Sequence, residues 1–232
     1  MNKPNQLFII GSGFSLKEGI DKGLWDKLKG KFTIGINYSY NYFNATLLTC
    51  CDKDFYEKES KKEQFQNLSL IIGKQHKDFA YSSNAISLKC NDKEYTKNLK
   101  KGVWKSNLSG VFTLSLGVFL IDKGTIFLLG YDGGGKKRDE KGRFLTHFYQ
   151  NQGIEHRGVG KIGYYNIPGR ADKDFRVYKG QDMPKILNVS LNSAIGVFPK
   201  ISYDEFFKQL NKQIYPQDEL RQWIRTKLGD IK

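Results

Sequence analysis

The chain has 232 residues, of which 39% are hydrophobic and 14% aromatic, and its 38 Lys and Arg against 24 Asp and Glu give a formal net charge of +14. This apolar content excludes an intrinsically disordered polymer, and the length suits one open α/β domain with a substantial core. The charge favours a polyanionic partner or an acidic ligand, with lysine-rich solvated surfaces as the alternative.

The cysteines and the first residues bear on the compartment. Cys50 and Cys51 are adjacent and Cys90 is the third cysteine, a pattern that neither a disulfide framework nor a metal-ligand spacing produces. The start of the chain lacks the order of a signal peptide, and no apolar run has the length of a membrane span. We therefore expect reduced thiols and a cytoplasmic location.

The first predicted element is a buried parallel strand over residues 6–10, followed by a turn over residues 11–15. A helix is expected to begin near Leu16, because Ser15 and Glu18 have the spacing of a capping box. Glycines let the backbone approach a ligand, and unpaired amides at a helix start favour phosphate. The alternative is a tight strand-to-helix turn without a ligand. The residues predicted to hold phosphate here are Gly11, Ser12, Gly13 and Ser15.

A nicotinamide enzyme is disfavoured by the same turn. The dinucleotide fingerprint places a third glycine where this chain has Leu16, and no clear ribose-binding acid ends the next strand. The turn therefore predicts phosphate binding without predicting a dinucleotide.

Apolar runs recur along the chain between helical or loop stretches, which predicts a Rossmann-like α/β fold with a mostly parallel sheet and helices on both faces. A helix over residues 109–122 is so apolar that it must be largely buried, and Ser109 is suited to cap it. An amphipathic closing helix follows Pro216 and stops at Gly229. The further predicted strands cover residues 32–36, 46–50, 68–72, 125–130 and 186–189.

Polar residues follow several of these strands, at the edge where ligands of open parallel sheets bind. The amide of Asn37 is suited to recognise a base or ribose, and turn formation is the equal alternative. Asp52 and Asp54 have the D-x-D spacing that holds a divalent cation in some nucleotide-sugar enzymes. Asp54 with Glu57 also fits a helix cap, which we favour for Asp54, so Asp52 is the candidate metal ligand.

A long segment over residues 133–176 lacks clear periodicity and is too long for an idle connection, so we expect a functional insertion or lid. Asp132, just before it, is suited to the rim of an active site that clamps phosphate or an acidic substrate, and it is a candidate catalytic residue. His147 and His156 lie within it, and one of them is suited to act as a general base, two surface histidines being the alternative. Basic residues predicted to contact substrate or a polyanion are Lys136, Lys137, Arg138, Arg143 and Arg157.

Four segments, residues 11–18, 36–37, 109–111 and 129–132, together resemble bacterial sialyltransferases that act on lipooligosaccharide. Uncharacterised phage proteins labelled norphogenetic are similar in the same elements. The phage group adds Asp52, residues 146–149 and the ending over residues 191–199. These motifs are short, and the turn has phenylalanine where the sialyltransferases commonly have proline.

The resemblance implies a Rossmann-like glycosyltransferase fold and a nucleotide-sugar donor as co-substrate. It also implies a histidine base in the late segment, with His147 as first choice and His156 as second. The sialyltransferases work without a metal, which weakens the metal hypothesis for Asp52. The residues that would hold the donor are Gly11, Ser12, Gly13, Ser15, Asn37, Asp52, Ser109 and Gly110.

The leading hypothesis is thus a glycosyltransferase acting on a hydroxyl acceptor, and for a phage protein that acceptor is a hydroxylated base in DNA. The basic residues after Asp132 would then contact DNA phosphates. A second hypothesis is a non-catalytic module that binds nucleotide or nucleic acid. A third is pyrophosphoryl transfer to a small alcohol with a divalent metal, because an archaeal pterin pyrophosphokinase family shares the general fold and turn.

Overall fold

The computed structural model describes most of the chain, and the ranges are residues 3–76, 82–91, 98–104, 108–134, 147–149 and 171–229, with the backbone of 137–138 and 144–145. Most of the predicted insertion lies outside these ranges. The predicted residues outside the described ranges are Lys136, Arg143, His156 and Arg157, while Lys137 and Arg138 are described by their backbone alone.

A parallel sheet forms the centre of the described chain. The strands in chain order are β1 (Gln6–Ile10), β2 (Thr33–Ile36), β3 (Leu47–Cys50), β4 (Ile71–Lys74), β5 (Ala85–Leu88), β6 (Cys90–Asn91), β7 (Val103–Trp104), β8 (Thr125–Leu129), β9 (Lys137–Arg138), β10 (Phe144–Leu145) and β11 (Lys185–Asn188). Seven of them pair in parallel in the order β11-β8-β1-β2-β3-β4-β5. The other four form two short ladders, β6 with β7 and β9 with β10.

Helices cover both faces of this sheet. In chain order they are α1 (Leu16–Asp21), α2 (Leu24–Leu28), α3 (Lys53–Glu59), α4 (Glu63–Gln66), α5 (Ser109–Leu120), α6 (Asp172–Phe175), α7 (Tyr203–Gln209) and α8 (Gln217–Gly229), with 3-10 turns at Asn37–Asn41, Leu99–Lys101 and Arg176–Tyr178. No helix among the described residues is long and apolar enough to cross a membrane.

Successive residues of β1 enter two separate core layers. Leu7 and Ile9 pack in the layer that contains α5 and α8, whereas Phe8 and Ile10 pack in the layer that contains α1 and α7. A strand buried on both faces has a continuous apolar run instead of an alternating one, and β1 shows such a run. The prediction of a Rossmann-like α/β fold with helices on both faces is therefore confirmed.

The predicted helix caps differ from the observed ones. Ser15 precedes α1 as predicted, but its side chain donates to Asp132 and makes no cap bond. Asp54 lies inside the first turn of α3, and Asp52 occupies the N-cap position. Ser109 is the first residue of α5, and the residue before it holds the cap position. Ser15 thus holds the predicted cap position without the capping hydrogen bond, and the caps predicted at Asp54 and Ser109 are wrong. The buried character predicted for α5 is confirmed.

The strand order creates a crevice at one place in the sheet. From β1 the chain builds outward through β2, β3, β4 and β5, and it then returns to β8 on the other side of β1. Connections leave the carboxyl ends of β1 and β8 in opposite directions, and ligands of open parallel sheets bind at such a point. The residues that follow β1 and β8 are therefore expected to line a ligand site.

A buried carboxylate joins α3 to the turn Asn37–Asn41. Glu59 is fully buried, and its Oε2 accepts hydrogen bonds from the Tyr40 hydroxyl and from Lys62 Nζ at 2.7 Å. We expect Tyr40→Phe to lower the free energy of unfolding by about 1–3 kcal/mol, because the buried carboxylate loses a donor. Urea denaturation of the purified variant measures the loss.

Tyr203 supplies the matched control, because its hydroxyl is also buried but has no hydrogen-bond partner among the described residues. Tyr203→Phe removes an unpaired polar atom from the core, so we expect no loss of stability and a small gain at most. Equal losses in the two variants would mean that the bond to Glu59 contributes nothing.

Candidate functional site

A cavity of about 320 Å³ opens at the carboxyl ends of β1, β2, β3 and β8. Residues predicted from the sequence meet there although they come from distant parts of the chain. The strand order places the ends of β1, β2, β3 and β8 together, so the topology explains the grouping of the residues that directly follow those strands. The predicted residues that line the cavity are Gly11, Ser12, Gly13, Asn37, Asp52, Ser109, Gly110, Asp132 and His147.

The turn after β1 is fastened to the end of β8. The amides of Gly11 and Gly13 donate to backbone carbonyls there at 2.8 and 2.9 Å. The Ser15 amide donates to Asp132 Oδ2 at 2.8 Å, and the Ser15 hydroxyl donates to Asp132 Oδ1. A Cβ at position 11 or 13 would lie 2.8 or 2.6 Å from the Gly130 carbonyl oxygen. Glycine at both positions is thus explained by the close approach of two backbones.

This geometry corrects the expected mode of phosphate binding. Free amides were expected at the start of the helix, but the Gly13 and Ser15 amides of the turn donate within the chain. Both oxygens of Asp132 accept hydrogen bonds from Ser15, so this carboxylate holds the turn in place while it lines the cavity. The turn therefore forms a closely packed wall of the cavity, in which Ser12 is the polar residue between the two glycines.

Helix α5 begins at the same cavity and has the features that the turn was expected to provide. The amides of Ser109 and Gly110 are the first two of a twelve-residue helix and have no acceptor within it. The positive end of the helix dipole lies at this point. The Tyr131 hydroxyl donates to the Gly110 carbonyl at 3.1 Å, and burial holds the pKa of Tyr131 well above its usual value, so the donor stays protonated.

Asn37 has an unusual backbone and an unsatisfied side chain. Its φ is 48°, the one positive value of a non-glycine residue in the described ranges. Asparagine tolerates this left-handed conformation better than most residues, and such strain concentrates at functional sites. Its Oδ1 is buried without a hydrogen-bond partner among the described residues. An unpaired buried acceptor costs free energy, which a ligand with an N–H or O–H donor would recover.

Asp52 stands exposed at the rim, directly after β3. The described residues contain no group of three or more His, Cys, Asp or Glu that could hold a metal ion. Next to Asp52, burial holds the pKa of the Cys51 thiol well above its usual value. The thiol therefore stays neutral.

His147 reaches the cavity through its neighbours in the chain. The Phe148 amide donates to the Ser12 carbonyl at 2.9 Å. The His147 and Tyr149 rings pack with centroids 5.2 Å apart. Of the two predicted histidine bases, His147 thus lines the cavity, and His156 is outside the described residues.

The apolar wall of the cavity was not predicted from the sequence. No local pattern distinguishes an apolar residue that lines a cavity from one in the core, and these residues come from separate segments of the chain. The missed lining residues include Ile36, Leu108, Ala171, Phe175 and Ile195.

A wider cavity of about 930 Å³ lies at the opposite edge of the sheet, between the start of β1 and α8. It contains none of the predicted site residues. Its Lys227 donates to the carbonyls of Phe119 and Leu120 at 2.9 Å, which satisfies the end of α5. The lysine that lines this cavity therefore has a structural role at the end of α5.

No protein-family model matches the chain, and the comparison with curated proteins gave no match. Among solved structures, the MAf glycosyltransferase from Magnetospirillum magneticum AMB-1 is similar, with a TM-score of 0.51 and 13% sequence identity. The match covers 98% of this chain and 38% of that one, so the chain spans about two fifths of the length of that glycosyltransferase. At this identity the likeness shows a shared fold.

Proposed function

We propose that the protein is a glycosyltransferase that uses a nucleotide-sugar donor. The observation that carries the proposal is the cavity at the reversal of strand order, where His147 and the start of α5 line the same space. The fold is shared with a glycosyltransferase, which supports the class of reaction. Neither the donor nor the acceptor is identified by the fold, and both are assigned below by chemistry.

The donor is proposed to lie with its phosphate at the start of α5. The amides of Ser109 and Gly110 would donate to the phosphate oxygens, which carry more negative charge as the sugar leaves. The unpaired Oδ1 of Asn37 would accept a hydrogen bond from the base or the ribose. The turn over residues 11–13 would form the wall against which the donor packs.

The transfer step needs one proton acceptor. An acceptor hydroxyl attacks the anomeric carbon, the bond from that carbon to the phosphate oxygen breaks, and the electron pair leaves with the phosphate. His147 would take the hydroxyl proton, a role suited to imidazole near neutral pH. Asp132, whose two oxygens are engaged by Ser15, would position the turn instead of moving a proton.

As acceptor we propose a hydroxylated base in DNA, which rests on the net charge of +14 and on the basic residues after Asp132. The prediction is that sugar is released from the donor and appears on DNA only when hydroxylated bases are present, with a rate that falls as salt rises. Transfer that is indifferent to DNA would end the acceptor hypothesis and leave the reaction class in place.

Thermal unfolding with a panel of nucleotides and nucleotide sugars, with and without Mn²⁺, tests the donor. A ligand at one hundred times its dissociation constant should stabilise the folded state by about 2.7 kcal/mol. Asn37→Ala should weaken the shift, because it removes the buried acceptor. His147→Gln should keep the shift and lose transfer by roughly a hundredfold or more, because it removes the base and leaves the donor contacts.

Two other results would replace the proposal. Stabilisation without transfer, unchanged by His147→Gln, would indicate a binding module that lacks chemistry. A strict metal requirement that Asp52→Asn abolishes would indicate pyrophosphoryl transfer, since that reaction uses a divalent cation on its phosphates.

A further inference from the structure

Ser12 is contacted by a segment that lies far along the chain. Its carbonyl accepts a hydrogen bond from the Phe148 amide at 2.9 Å. This contact fixes the backbone of the segment next to Tyr149. The residue just before this pair is His147, which lines the cavity together with Ser12.

Tyr149 is held in a box of aromatic rings. It is 1% exposed, and its ring centroid lies 5.7 Å from that of Tyr38, 6.0 Å from that of Tyr42 and 5.3 Å from that of Phe148. Tyr38 belongs to the turn Asn37–Asn41 and Tyr42 follows it directly. The box therefore lies on the polypeptide segment that begins with Asn37, next to the cavity.

The hydroxyl of Tyr149 remains a donor at every physiological pH. Burial raises the pKa of Tyr149 well above its usual value. The phenol therefore stays neutral beside the His147 ring. The His147 ring packs at an angle of 31° to the Tyr149 ring, with centroids 5.2 Å apart.

We propose that Tyr149 is a positioning residue that orients His147 at the cavity by packing against its ring and by anchoring the segment 147–149 in the aromatic box. The catalytic consequence rests on the proposed function, in which His147 is the base, but the orientation itself does not. Tyr149 was absent from the residues predicted to form the site, although residues 146–149 belong to the resemblance with the phage proteins. Its ring partners Tyr38 and Tyr42 are distant along the chain.

A purely structural tyrosine is the competing explanation, and three variants separate the two. Tyr149→Leu removes the ring that packs on His147, and Tyr149→Phe keeps the ring but loses the hydroxyl. Tyr42→Leu removes a different ring from the same box while leaving Tyr149 in place. If Tyr149 only fills space, Tyr149→Leu and Tyr42→Leu should behave alike.

The first measurement uses the ligand-free protein and needs no activity. The chain has three histidines, so the imidazole proton signals of His147 can be assigned in an NMR spectrum by comparison with His147→Gln. Tyr149→Leu should move those signals, because the ring current of Tyr149 is lost. Tyr149→Phe and Tyr42→Leu should leave them near their wild-type positions. Unmoved signals in Tyr149→Leu would overturn the proposal.

The second measurement is kinetic. Tyr149→Leu should lower kcat by roughly tenfold to a hundredfold with KM for the donor nearly unchanged, because a misplaced base affects the transition state more than the bound donor. Tyr149→Phe should recover most of kcat, and Tyr42→Leu should retain it. The same loss in Tyr42→Leu would overturn the proposal. An inactive wild-type protein with the expected NMR shifts would instead end the glycosyltransferase proposal and leave the positioning role intact.

Should Tyr149→Leu fail to fold, Tyr149→Met carries the test, because methionine adapts to irregular gaps in a core and has no aromatic ring. Tyr149→Met should move the His147 signals, since the ring that packs on His147 is lost. Unmoved signals in Tyr149→Met would overturn the proposal.

Discussion

Gly13→Val is expected to destabilise the fold and abolish the stabilisation by donor. A Cβ at position 13 would lie 2.6 Å from the Gly130 carbonyl oxygen and 2.7 Å from the carboxylate carbon of Asp132. The nearer atom belongs to the backbone, which cannot rotate away as a side chain could. The turn over residues 11–15 must therefore move away from β8. Overpacking of this kind costs about 1–3 kcal/mol, and the larger valine adds to it. Chemical denaturation and donor-induced thermal shift measure the two effects separately.

Gly229→Val is the matched control, because no atom lies within 4 Å of a Cβ built at that position in α8. It should change the free energy of unfolding by a few tenths of a kcal/mol up to about 1 kcal/mol, and the donor-induced shift should be retained. If Gly13→Val keeps the full donor-induced shift, the turn after β1 is not part of the donor site.

The fold was predictable because a strand buried on both faces has a continuous run of apolar residues, which is easily recognised in a sequence. β1, β2 and β8 each show an uninterrupted apolar or small-residue run, and all three were predicted. β5 (Ala85–Leu88) was missed. It lies at the edge of the sheet, three of its four residues are partly or fully exposed, and its Ala and Ser weaken the apolar signal.

The capping box predicted at Ser15 does not form, because a distant residue competes for the serine side chain. Ser15 and Glu18 satisfy the local spacing of a capping box, yet Ser15 bonds instead to Asp132, which is 117 residues away. A charged acceptor makes the stronger hydrogen bond, so the distant carboxylate prevails over the local motif. A capping box does form at Ser202 and Glu205, where the structure describes no competing carboxylate for Ser202.

The site was half predictable. Polar residues at the carboxyl ends of parallel strands converge by topology alone, so Asn37, Asp52 and Asp132 could be placed together once the sheet was inferred. What those residues do could not be predicted, since Asp132 was expected to serve chemistry and its oxygens are engaged by the turn. Contacts such as that of the Phe148 amide with the Ser12 carbonyl depend on three-dimensional packing and leave no local signal.

Alkaline solution is expected to unfold the protein well before its buried phenols ionise. Burial raises the pKa of Cys50 from 9.0 to about 12, and the thiol is fully buried. A group whose pKa is raised on folding supports the folded state fully at pH values below its unfolded pKa, and that support is lost as the pH rises toward the folded pKa. Each pH unit in this window removes about 1.4 kcal/mol per such group. Over the two units above pH 9, Cys50 alone accounts for about 3 kcal/mol.

Cys51 and the buried tyrosines act in the same direction, because burial also raises the pKa of Cys51, Tyr131 and Tyr203. Urea denaturation at successive pH values should therefore show a steep fall in the free energy of unfolding above pH 9. Cys50→Ala should reduce the slope of that fall by the contribution of one proton. Thr49→Val, at the neighbouring buried position of β3, removes no titrating group and should leave the slope unchanged. A slope that Cys50→Ala does not alter would mean that this thiol ionises equally well in the folded protein.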